Sequence, residues 1–256
     1  MIQINIKSIV LFGDAGKRIL LRDSAFTMVG QNIYTILGKN GEGKSTLLKS
    51  ITKLLDETVF SIEGSVEFES IDLLSLTQKQ LMEFRKAKIQ YVFQDPVNSF
   101  DPLKKIGYYF KLFSFDENES KREFEFFNLP EPKKIFKLHP YEVSGGMAQR
   151  IAVVLALLKK PKLLLLDEPT SGIDNETIYL VKERLKKFVI QNDSIALIIT
   201  QDLSFAENMT NYIAYLESGK LSEFVSYNNF FNEDSESIKN FLQAYMRLND
   251  ETIISR

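Results

Sequence analysis

The stretch GKNGEGKS, Gly38 to Ser45, decides how the rest of the chain is read. It fits the spacing G-x-x-x-x-G-K-[ST], in which glycines let the backbone fold so that successive N–H groups face an anion. An apolar run, NIYTIL (32–37), precedes it, and a helical pattern, STLLKSITKLL (45–55), follows. Strand, glycine loop and helix is the context that separates a phosphate loop from a chance match, which a chain of this length produces about 1% of the time. The helix that starts after the loop adds its positive dipole end. In such a loop Lys44 carries charge to the β and γ phosphates and Ser45 places a hydroxyl on Mg²⁺. Gly38, Lys39, Asn40, Gly41, Glu42, Gly43 and Thr46 complete the cradle.

Downstream, KLLLLD (162–167) is a wholly apolar strand of the kind buried in a parallel sheet, and it ends in Asp167 and Glu168. A carboxylate at the carboxyl end of such a strand points toward the phosphate crevice. Asp167 is expected to hold Mg²⁺ through water, and Glu168 to polarise an attacking water.

Composition narrows the alternatives. The 256 residues are 44% hydrophobic and 26% charged, enough for a real core, and the net charge of −2 argues against binding nucleic acid by bulk positive charge. There is no cysteine, which removes disulfides, thiol chemistry and Cys-ligated metal centres, and the lone His139 leaves no room for a histidine cluster. It is expected to be structural. No apolar run approaches the roughly 18 residues of a membrane span. The opening MIQINIKSIVLFGD alternates like a strand and lacks the basic and apolar regions of a secretion signal, so a cytosolic location is expected.

Ile2, Ile4 and Ile6 alternate with polar residues, and a second strand-like stretch covers Ile19 to Met28, so the two predict an antiparallel hairpin through GDAGK. SVEF (65–68) is a further hairpin strand. From about 72 to 150 the character changes to Pro/Asn/Asp-rich turns and aromatic, charged helix around a strand KIQYVF (88–93), which predicts an inserted helical subdomain. Gly145-Gly146 opens a helix at 147–158; a helix at 175–190 and strands at 195–199 and 212–216 follow. The expected organisation is one domain over 1–225 and a tail over 226–256. In the tail, Ile238, Phe241, Leu242, Tyr245 and Leu248 share a helical face, suited either to docking on the body or to a partner.

VSGGMAQR (143–150), a Ser-Gly-Gly helix start shortly before the Asp167 strand, completes an order that resembles the ATP-binding cassette (ABC) ATPases: phosphate loop, glutamine loop, signature, acidic strand, then a histidine loop. The resemblance implies an α/β nucleotide-binding domain of the ABC type, with a mixed-sheet core, an N-terminal antiparallel β-subdomain and the inserted helical subdomain. It implies ATP and Mg²⁺ as cofactors. It assigns Gln94, in YVFQDP, to Mg²⁺ and to signalling with transmembrane subunits, and Asp174, in SGID, to the dimer interface. Phe12 is assigned to stacking on adenine, with a core aromatic as the alternative. The resemblance also assigns Ser144, Gly145 and Gly146 to the ATP held by a second cassette in a head-to-tail dimer, and the start of that helix is itself suited to an anion.

VFQDPVNSFDP and HPYEVSGGMAQR resemble the oligopeptide, dipeptide and nickel importer branch most closely, and the short, cysteine-free tail tips the balance slightly toward its nickel-type members. The 99 residues between Lys44 and Ser144 leave no room for a long coiled-coil insert. The implied assembly contains separate permease subunits, a second cassette and, indirectly, a solute-binding protein, with this chain peripheral on the cytoplasmic face of the membrane. An exporter cassette and a soluble ATP-binding regulator are the competing functions.

One position departs from the family. In ALIITQDLSFAE, Gln201 stands where a histidine normally contacts the γ-phosphate and steadies Glu168 and its water. Glutamine can donate an N–H but cannot become cationic or carry a proton. The expectation is a site that binds ATP and hydrolyses it slowly.

Overall fold

The computed structural model describes residues 1–13, 16–170 and 173–254, the segment 247–254 by backbone alone. The hairpin turn at Asp14-Ala15, the Ser171-Gly172 part of SGID and the side chain of Leu248 lie outside the described residues. The strands are β1 (Ile2–Gly13), β2 (Gly16–Met28), β3 (Asn32–Leu37), β4 (Phe60–Phe68), β5 (Ile71–Asp72), β6 (Ile89–Val92), β7 (Leu163–Asp167), β8 (Ile195–Thr200), β9 (Tyr212–Glu217), β10 (Lys220–Leu221) and β11 (Val225–Ser226). The helices are α1 (Lys44–Ile51), α2 (Gln78–Lys88), α3 (Pro96–Ser99), α4 (Ile106–Leu112), α5 (Glu117–Phe126), α6 (Pro132–Ile135), α7 (Gly145–Leu158), α8 (Asn175–Gln191), α9 (Leu203–Ala206), α10 (Tyr227–Phe230) and α11 (Glu236–Ile254). Two compact units result. The first comprises residues 1–28, 34–75 and 199–256, and the second 29–33 and 76–198.

In the first unit the strand order is β5-β4-β1-β2-β10-β9-β3, with β11 on β9. β4, β1 and β2 run antiparallel, while β3 is parallel to β9 with Leu37 opposite Tyr215. Period-two patterning explains the antiparallel part: Ile2, Ile4 and Ile6 are fully buried and their neighbours face out. α1 ends at Ile51, four residues short of the stretch expected from its sequence. Its last turn closes as a Schellman cap: Lys53 takes φ +52°, its N–H bonds Ser50 O at 3.0 Å, and Leu54 N–H bonds Lys49 O at 2.9 Å. Leu37, Leu203, Ala206, Ile213, Tyr215 and Phe230 form a core that receives Ile238 and Leu242 of α11, with Phe241 and Tyr245 packed at its edge. Of the two roles open for that apolar face, docking on the body is the one observed.

In the second unit β6 pairs in parallel with β7, and β8 lies on the other side of β7. Leu163 to Leu166 are all fully buried, as a central parallel strand requires. The aromatic segment folds as short helices around Phe110, Phe124, Phe127 and Ile135. Thr77 and Gln80 close α2 with a capping box, and Ser144 caps α7 by accepting from Met147 N–H. His139 is structural: it precedes a 3₁₀ turn, its Nδ1 lies 3.2 Å from Pro102 O, and it stacks on Tyr141.

Candidate functional site

The phosphate loop belongs to the first unit. β3 delivers the chain at Leu37, and the glycines then have distinct reasons. A Cβ on Gly38 would lie 2.5 Å from Leu216 O, so only glycine permits that approach. Gly41 and Gly43 adopt φ of +86° and +96°, where side chains are strained. Lys44 is buried, and its ammonium donates to Gly38 O at 2.7 Å and Lys39 O at 3.1 Å, which fixes the charge over its own loop. Ser45 and Thr46 are half-buried in the first turn of α1; Lys39 and Asn40 are exposed. Glu42 accepts from Ser218 N–H at 2.5 Å.

Gln201 follows the last residue of β8 and is exposed. Local bonds help hold its segment: Thr200 Oγ1 accepts from Asp202 N–H at 3.0 Å, and Asp202 caps α9, accepting from Ser204 N–H at 2.8 Å and Ser204 Oγ at 2.6 Å. Phe12 is 38% exposed near the end of β1 and so is no core aromatic. It lines a cleft of about 410 Å³ with Leu55, Phe60, Ile62 and Leu74, and Lys17 Nζ lies 5.3 Å from its ring centre.

The acidic pair belongs to the second unit. Asp167 and Glu168 are both more than nine-tenths buried at the end of β7. Glu168 takes φ +45°, a left-handed conformation that a non-glycine residue keeps only when its surroundings enforce it. Tyr91 of β6 donates its hydroxyl to Asp167 Oδ2 at 2.9 Å. Burial, then the neighbouring Asp167, pushes the Tyr91 phenol well above its ordinary range. Gln149 Nε2, buried in α7, donates to Pro169 O at 3.1 Å and so fixes the turn after Glu168. Tyr91 and Gln149 are site residues that the sequence pattern does not flag.

Gln94 is exposed, two residues past β6. Ser144 and Gly145 are exposed at the start of α7, and a Cβ on Gly145 would meet nothing within 4 Å, leaving that helix end open. Asp174 caps α8, accepting from Thr177 N–H at 2.8 Å and Thr177 Oγ1 at 2.9 Å. Those bonds hold its carboxyl below the usual aspartate range.

The ABC transporter family profile matches residues 21–171. The chain belongs to the ATP-binding cassette (ABC) transporter family. This cassette is 32% identical over 213 residues to the metal-staphylopine import system ATP-binding protein CntD of Staphylococcus aureus, spanning 80% of this chain and 78% of that one. It is 29% identical over 230 residues to the oligopeptide transport ATP-binding protein AmiE of Streptococcus pneumoniae, spanning 85% and 65%. It is 31% identical over 198 residues to the oligopeptide transport ATP-binding protein OppD of Bacillus subtilis, spanning 73% and 55%. Its fold is that of the ATP-binding cassette MJ0796, solved as a post-hydrolysis dimer with ADP and phosphate. The TM-score is 0.77 at 24% identity, over 88% of this cassette and 98% of that chain. The cassette binds and hydrolyses ATP, as its family does. No helix among its described residues is long and apolar enough to cross a membrane.

Among the described residues no three His, Cys, Asp or Glu side chains converge on one point. Mg²⁺ seeks six oxygens, keeps several waters, and takes phosphates with one or two protein ligands. The Ser45 hydroxyl in the first unit, and Gln94 and Asp167 in the second, each offer an oxygen of that kind.

Proposed function

We propose that this cassette is the ATPase subunit of an importer, and that it powers uptake of a peptide or a metal chelate such as a nickel complex through separate permease subunits. The observation that carries this reading is the set of cassette motifs on one chain without a membrane-crossing helix among its described residues. A relative that is a metal-staphylopine import system ATP-binding protein, and relatives that are oligopeptide transport ATP-binding proteins, support it. Residues 1–225 form the ATPase domain, with the helical insertion at about 72–150, and 226–256 the tail.

Gly38 to Thr46 cradle the phosphates, Phe12 stacks on adenine, and Lys44 neutralises charge. Ser45, Gln94 and Asp167 hold Mg²⁺, which draws charge from the phosphate oxygens when bound. Glu168 takes a proton from the attacking water, and Gln201 donates to the γ-phosphate without carrying charge. Ser144, Gly145, Gly146 and Asp174 face the ATP of a second cassette, head to tail. The segment around Gln94 and the helical subdomain meet the permease at the cytoplasmic face, and a solute-binding protein acts on the far side.

Uptake of labelled peptides and of labelled nickel chelates by cells carrying the wild-type chain or Glu168→Gln tests this. The proposal expects accumulation of one solute class, lost in Glu168→Gln. Equal accumulation of both classes in both strains would contradict it, and faster efflux of a preloaded solute in the wild type would turn the direction around.

A further inference from the structure

Three helices of the second unit meet at the end of α5. Glu123, on α5, accepts a two-pronged pair from Arg184 of α8: Nε lies 3.1 and 2.9 Å from the two carboxylate oxygens, and Nη2 lies 2.5 Å from Oε1. The two side chains are only 10% and 18% exposed. Just past the helix, the carbonyls of Phe127 and Asn128 accept from Arg150 Nη1 of α7 at 3.0 and 3.4 Å. Arg150 Nε also donates to Gly146 O at 3.2 Å. Asn128, at φ +49°, turns its amide to Glu176 Oε1 in the first turn of α8, at 2.9 Å.

These bonds run to the starts of α7 and α8, where Ser144 and Asp174 are the caps. The two starts also approach each other, since a Cβ on Gly146 would lie 3.8 Å from Ile173 Cγ2. Stability alone does not explain so buried an ion pair. Desolvation largely cancels the attraction, and an apolar pair of like volume often holds helices together as well. What an apolar pair lacks is direction. A planar guanidinium gripping both oxygens of a carboxylate fixes the rotation of one helix against another.

We infer that Glu123 and Arg184 are positioning residues for ATP hydrolysis. Their pair sets α5 on α8, so that Asn128 and Arg150 fix Ser144 to Gly146 in one orientation relative to Asp174. This rests on the dimer reading above, in which those residues face the ATP of the opposing cassette.

The test measures steady-state Mg-ATP hydrolysis in the assembled transporter purified through a tag on this chain, with ATP affinity and melting temperature of the isolated chain alongside. The variants are Glu123→Leu with Arg184→Leu, Arg184→Lys alone, and Ser144→Ala as the control for the dimer. The double variant is expected to melt within a few degrees of wild type and to bind ATP within about twofold. Its kcat should fall about tenfold, since small misplacements of catalytic groups are costly. Arg184→Lys, which keeps the charge but not the fork, should slow hydrolysis about threefold and decides the matter if the double variant does not fold. A wild-type rate in either folded variant, beside a slow Ser144→Ala control, means the pair only holds the helices together and overturns the inference. A wild-type rate in Ser144→Ala removes the dimer reading and the inference with it.

Discussion

The side chain that most changes the account of this site is Tyr91, whose hydroxyl reaches Asp167 across 76 residues of sequence. Tyr91→Phe leaves a buried carboxylate oxygen short of one donor, which costs about 1.5–3 kcal/mol of stability for a bond to a charged group. Chemical denaturation at neutral pH reads that loss. The same bond has a pH signature. Burial and Asp167 raise the folded phenol's pKa above its unfolded value near 10. The stabilisation is therefore complete below about pH 10 and declines as pH rises beyond it. Tyr91→Phe should flatten that alkaline decline. An unchanged alkaline limb would mean other groups set it. No sequence pattern announces this pair: YVFQ reads only as a strand, and which tyrosine meets which aspartate is fixed by the parallel register of β6 on β7. Gln149 is hidden for the same reason. The phosphate loop was legible because most of its demands are local: positive φ at Gly41 and Gly43, and a lysine within reach of its own loop carbonyls.

At the scale of elements, the long periodic stretches followed their patterns. β1 alternates, β7 is buried throughout, and α8 spans 175–191 against the expected 175–190. The exception among the helices is α1, whose pattern continues past Ile51 while its backbone turns left-handed at Lys53. Leucines at 54 and 55 extend the apolar period, but a Schellman turn satisfies the final carbonyls without another helical turn. Short pieces such as α3, α6 and α9 carry too few residues for periodicity to register. α11 gives the element-scale prediction. Ile238 is 1% exposed in a core with Leu37, Tyr215 and Phe230. Ile238→Ala should cost about 2–5 kcal/mol, measured by denaturant unfolding with the slope unchanged. A loss under 0.5 kcal/mol would mean the helix is not docked in solution.

At the scale of the whole molecule, the candidate residues divide between two compact units: Lys44, Ser45 and Gln201 in the first, and Asp167, Glu168, Gln94, Ser144 and Asp174 in the second. Sequence order alone exposed this set, because the family keeps its motifs in a fixed succession along the chain. The solute is not written there; in the proposed importer, separate permease and solute-binding subunits select it. What the sequence does carry is Gln201, where the family resemblance implies a histidine, on a chain that keeps both Asp167 and Glu168. The measurement that tests the central claim is steady-state Mg-ATP hydrolysis by the assembled complex, comparing wild type, Gln201→His and Glu168→Gln. The account predicts wild type above the Glu168→Gln blank and a clear rise with Gln201→His. A wild-type rate equal to the blank would contradict hydrolysis at this chain's own phosphate loop. A rate unmoved by Gln201→His would show that glutamine already does what the histidine does elsewhere.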